Sequence, residues 1–75
     1  MKLLDEYTHI KERTKCLIRN YIGLVQVSSD IYLVTCTEEV LSSVTDNSIT
    51  TKSKIFREFD SASDYIGILK RELKY

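Results

Sequence analysis

The chain contains no proline and no tryptophan, and only two glycines, two cysteines and one histidine. With no proline, and with glycine only at Gly23 and Gly67, it lacks the composition of linkers, disordered segments and solenoid repeats. Cys16 and Cys36 fall short of the roughly four to eight cysteines that staple a small secreted domain. Reduced structural thiols are therefore expected ahead of a Cys16–Cys36 bridge. No apolar run approaches the roughly 18 residues needed to span a bilayer. Asp5 and Glu6 stand where a signal peptide would carry its apolar core. A cytoplasmic protein with no membrane association is expected.

The 75 residues suffice for one domain. A chain this short buries only about 60% of its unfolded surface, so its own core gives little stability to spare. Net charge is zero, from 11 basic and 11 acidic residues, but the distribution is uneven. Residues 28–51 hold Asp30, Glu38, Glu39 and Asp46 with no lysine or arginine, while the segments on either side each carry a small basic excess. The middle of the chain is its acidic part.

Leu3, Tyr7, Ile10, Thr14, Leu17 and Tyr21 recur at steps of four and three, which predicts an amphipathic helix over 2–19. Residues 14–23 admit a second reading as an early strand, with Cys16, Ile18 and Ile22 alternating against Arg19. Strands follow at 22–27 and 31–37, joined through Ser28, Ser29 and Asp30. The second of these has large apolar groups on both faces, Leu33 against Tyr32 and Val34, as a central strand covered on both sides would. Residues 38–51 predict a long hairpin with its tip near Asp46 and Asn47. A lysine-rich edge strand then runs to Phe59.

Ser61 to Asp64 has the form of a capping box. It opens a helix with the stripe Ala62, Tyr65, Ile66, Leu69 and Leu73, and with Lys70, Arg71 and Lys74 at its negative end. Gly67 inside this helix suggests a close backbone approach to the sheet. The expected fold is α+β: a three-stranded antiparallel sheet flanked by an N-terminal and a C-terminal helix, α-β-β-β-α.

Catalytic chemistry has little to work with. His9 and Cys16 lie seven residues apart, ~10 Å along a helix, too far to act together. Glu38 and Glu39 are adjacent, so on a strand they point to opposite faces and do not form an acid–base pair. No metal-ligand spacing and no glycine-rich phosphate loop occurs. No enzyme, no cofactor and no metal is expected.

Two binding surfaces can be drawn instead. The acidic middle, with Asp30, Glu38, Glu39, Asp46 and Asn47, would suit a basic groove on a host protein. Lys52, Lys54 and Arg57, beside Phe56 and five tyrosines (Tyr7, Tyr21, Tyr32, Tyr65, Tyr75), would offer phosphate and base contacts. The zero net charge ranks nucleic acid second. A homodimer through the N-terminal helix is a third expectation. The small size, the Ser/Thr/Ile/Lys-rich make-up and the lack of catalytic residues resemble short proteins of phages and mobile elements. That resemblance implies an inhibitor that occupies a host protein, of anti-CRISPR or other anti-defence type.

Overall fold

The structure is a computed structural model and describes residues 1–44 and 46–73; Lys74 and Tyr75, named above, lie outside them. Among the described residues the chain forms β1 (Lys2–Arg13), β2 (Cys16–Ser28), β3 (Ile31–Ser42), β4 (Ser48–Phe56) and α1 (Phe59–Leu73). The strands make one antiparallel sheet in the order β1-β2-β3-β4. The expected three-stranded sheet between two helices is therefore corrected to a four-stranded sheet with a single C-terminal helix. The strand reading of 14–23 is the one realised, and the helical surface expected to carry a homodimer does not exist.

The apparent helical period has a physical origin. The β1 register shifts between Leu3 and Asp5, and such a bulge changes which side later residues face. Leu4 and Tyr7, three apart, both pack against the core in consequence. Ile10 and Leu17 project from the other side of the sheet, and Thr14 lies in the turn. The steps of four and three thus combine two faces and a turn. That turn, Thr14 and Lys15, carries no glycine or asparagine, and no described residue has a positive φ. The hairpin closes without the Asn-Gly type of signal that marks most two-residue turns.

One face of the sheet is covered by α1. Ile22, Leu24, Val34, Ala62 and Ile66 are buried between them, with Leu4, Tyr7, Tyr32, Cys36, Phe56, Tyr65, Leu69 and Leu73 packed around. The apolar stripe of the helix is the one its sequence predicts. The start differs, because α1 begins at Phe59, so Ser61 and Asp64 lie inside it and Glu58 O accepts from Ala62 N at 3.3 Å. Phe56 packs on Tyr65 (5.4 Å between ring centroids), and Tyr32 meets Phe59 edge-on at 5.9 Å. A Cβ on Gly67 would meet nothing within 4 Å, so no close approach explains this glycine.

The cover is incomplete. A 15-residue helix spans ~22 Å, whereas strands of 12 and 13 residues run ~40 Å. The molecule measures 45 × 22 × 15 Å, the thickness of one sheet and one helix. Its Cα radius of gyration, 13.9 Å, exceeds the ~11 Å of a compact domain of this length. No helix is long and apolar enough to cross a membrane among the described residues.

Candidate protein-docking face

Because side chains alternate along a strand, burial of Ile22, Leu24 and Val34 under α1 sends Tyr21, Gly23, Val25, Leu33 and Thr35 to the opposite, open face. The registers arrange this face in rows that cross all four strands. One row is Leu3, Val25, Leu33 and Ile55. The next is Glu6, Gly23, Thr35 and Ser53, followed by Thr8, Tyr21, Thr37 and Thr51. The fourth is Ile10, Arg19, Glu39 and Ile49, with Leu17 beside Leu41 beyond it. Apolar groups thus flank a polar centre. Leu3, Ile10, Ile49 and Ile55 are 52%, 56%, 69% and 67% exposed.

The polar centre is internally paired. Arg19 donates to Glu39 as a hydrogen-bonded ion pair. The Tyr21 hydroxyl donates to Glu6 at 3.1 Å, and Thr37 and Thr51 share a hydroxyl contact at 3.4 Å. Gly23 makes the tyrosine geometry feasible, since a Cβ there would sit 3.1 Å from the Tyr21 ring edge and hydroxyl. Burial first, then the Glu6 hydrogen bond and the Glu6 charge, hold the Tyr21 phenol above its ordinary pKa. Thr8, Arg19, Tyr21, Thr37 and Glu39 line a shallow depression of about 350 Å³ at the centre of the face.

Charge is sorted by side. Lys2, Lys11, Lys52 and Lys54 pair with Gln26, Ile18, Cys36 and Val34 and so share the helix side. The open face of the sheet carries no lysine. The absence of lysine and the presence of Arg19, Tyr21 and exposed aliphatic groups are features that interfaces favour, set beside Glu6, Glu12 and Glu39, which they do not.

The residues of the acidic middle are dispersed. Asp30 occupies the β2–β3 turn, where it accepts from the Ser28 hydroxyl at 3.2 Å and lies 3.9 Å from Arg57. Asp46 and Asn47 lie at the other end of β3, in the connection to β4. The Asn47 side-chain oxygen accepts from Ser42 N at 2.9 Å, which makes it a loop closure. Glu38 faces the helix side and Glu39 the open face. Val40 and Leu41 simply continue β3 in register, so no acidic ridge protrudes. The basic set is equally dispersed: Lys54 sits over the Phe56 and Tyr65 rings at 5.4 and 4.9 Å, Lys52 lies farther along the same side, and Arg57 faces Asp30.

A second concavity, about 380 Å³, opens beyond the C-terminal half of α1, with Asn20, Cys36, Glu38, Lys52, Tyr65 and Glu72 on its walls. Burial raises the Cys36 thiol pKa, with Lys52 opposing and Glu38 and Glu72 adding to the rise. Both cysteines are free thiols. No group of three His, Cys, Asp or Glu side chains able to hold a metal ion occurs among the described residues. His9 Nδ1 is buried without a hydrogen-bond partner, beside Asn20 in the β1–β2 register.

Sequence reasoning missed Leu3, Ile10, Ile49 and Ile55 as a set, because they sit on the two edge strands, β1 and β4, at opposite ends of the chain. The available signal was the central strand, whose apolar groups point both ways. No family model, no curated protein and no solved structure matches the chain.

Proposed function

We propose that this chain is a small non-enzymatic protein-binding module whose working surface is the open face of the sheet. The observation that carries the reading is the contrast on that face: exposed aliphatic rows, no lysine, and polar groups already paired with one another. Polar groups already paired lose less than unpaired ones would when water is removed, while exposed aliphatic groups gain. The face also carries Glu6, Glu12 and Glu39 against Arg19 alone, so a foreign partner of matching chemistry is apolar with basic groups among its contacts. An inhibitor that occupies a host protein in this way, of the kind phages and mobile elements use against host defence, is the form we favour. Affinity capture from host extract with wild-type and Ile55→Lys baits tests it. A partner held by the wild type and lost by the variant supports the reading; a partner held equally by both contradicts it.

A nucleic-acid reading draws on Lys2, Lys11, Lys52 and Lys54, which lie on the helix side of the two edge strands. A salt titration with single-stranded and duplex DNA decides it, because phosphate contacts impose a steep salt dependence. Absence of binding at low salt removes it.

A further inference from the structure

We infer that the open face is covered by a second copy of the same chain, in a face-to-face dimer whose two-fold axis runs parallel to the strands between β2 and β3. The inference rests on the docking reading above and makes a second copy the occupant of that face in the free protein, which a host protein would have to displace.

Three observations support a second copy. The first is the row pattern. A two-fold along the strands lays each row on its own reverse, β1 over β4 and β2 over β3 of the partner. Leu3 then meets Ile55 and Val25 meets Leu33, Ile10 meets Ile49, and Tyr21 meets Thr37. Arg19 meets Glu39 in both directions, and Glu6 meets the Ser53 hydroxyl. Each of the four rows that cross the whole sheet meets its own reverse without a like-charge contact, as an isologous interface requires; Glu12, paired with Leu17, lies outside them, beyond the last β4 pair. A two-fold running across the strands would instead lay Val25 on Arg19 and Leu33 on Glu39, burying charge against aliphatic groups.

The second is area. The chain exposes 5472 Å², roughly 700 Å² more than the ~4,700 Å² expected for a folded monomer of its mass. Four strands ~4.8 Å apart and about 11 residues long present a footprint of ~700 Å². A face of that size approaches the ~800 Å² per partner of a standard stable interface.

The third is the core. Among the described residues five apolar residues are buried, all on the helix side. A second sheet packed ~10 Å away would turn Val25 and Leu33, already half-buried, into a second core layer and cover the central strands on both sides.

Sedimentation velocity from low-micromolar to submillimolar chain is the first test. The wild type is expected to sediment as a dimer with a dissociation constant that Ile55→Lys raises about 100-fold or more, the residue counting twice in an isologous contact. Ile55 is mostly exposed in the single chain, so the variant keeps its far-ultraviolet circular dichroism. The second test separates the contact between copies from the Arg19–Glu39 pair within each copy. Chains carrying Arg19→Glu and chains carrying Glu39→Arg are each expected to be monomeric, and to form a mixed dimer when combined. Loss of an ion pair inside one chain cannot be repaired by a second chain. A wild type that remains monomeric at submillimolar concentration, or variants that stay monomeric when mixed, overturns the dimer. If the chain is monomeric while Ile55→Lys still loses a captured protein, the dimer falls and the docking reading stands. If the variant keeps that protein, both fall.

Discussion

The helix side and the open face of the sheet are built from neighbouring residues of the same strands, yet they do different work. Leu24 and Val34 are buried beneath Ala62 and Ile66, while Val25 and Leu33, one step along the chain in β2 and in β3, stand half-covered on the other side. The helix side is irregular and aromatic, tied together by Tyr32, Phe56, Phe59 and Tyr65, and it carries the lysines of the sheet. The open face is flat, ordered in rows and internally paired. The difference teaches that apolar character alone does not define the core of this molecule: some of the strands' aliphatic groups are packed beneath α1, and others lie on the uncovered face of the sheet.

The largest effect expected from breaking that contrast is in the core. Leu24→Ala should lower unfolding free energy by about 2–5 kcal/mol. Ile55→Ala, read at dilution where copies separate, should change it by no more than ~0.5 kcal/mol. Urea unfolding of both variants at low concentration measures the gap, and equal losses would dissolve the distinction between faces. Asn47→Ala should cost about 1 kcal/mol by releasing Ser42 N, the closure of the β3–β4 connection. It should leave binding unaffected if Asn47 holds a loop rather than a partner.

Gly67→Ala sharpens the comparison from the helix side. The added methyl enters open space within the helix, so a gain of about 0.5–1 kcal/mol is expected, visible as a higher thermal midpoint. Tyr21→Phe probes the open face through pH. The folded pKa of this phenol is raised, so its contribution is complete below the unfolded value of about 10 and is lost as pH climbs through the folded value. Wild-type stability should decline along that alkaline limb, and the variant should decline less; identical limbs would contradict the raised pKa of this phenol. Smallest of all, Arg57→Ala should move stability by no more than ~0.5 kcal/mol, since its ion pair with Asp30 is long and exposed.

How much of this could be read from residues alone follows from where each signal sits. The C-terminal helix was legible because Ala62, Tyr65, Ile66, Leu69 and Leu73 meet one surface at helical spacing. The β2–β3 pairing and the edge position of β4 were legible because apolar runs and lysines mark an interior and a rim. The N-terminal strand was not. On an edge strand half-exposed on both sides, alternation is weak, and the bulge at Leu3 and Asp5 placed Leu4 and Tyr7 at a helix-like interval. The acidic middle looked continuous in sequence, but strand alternation separates Glu38 from Glu39, and β3 carries Asp30 and Asp46 to opposite ends. Of the five residues proposed there for partner contact, Glu39 alone reaches the open face. The rows of that face exist only once four strands are in register, and no local pattern announces them.

The central claim is that a second copy of the chain covers the open face, while the helix side is the core of each copy. The urea midpoint of the wild type and of Ile55→Lys, each followed over a hundredfold range of chain concentration, tests it most directly. The midpoint of the wild type is expected to rise with concentration, by mass action of a second copy on the folded state, and that of Ile55→Lys to stay fixed. A wild-type midpoint independent of concentration, equal to that of the variant throughout, would contradict the account.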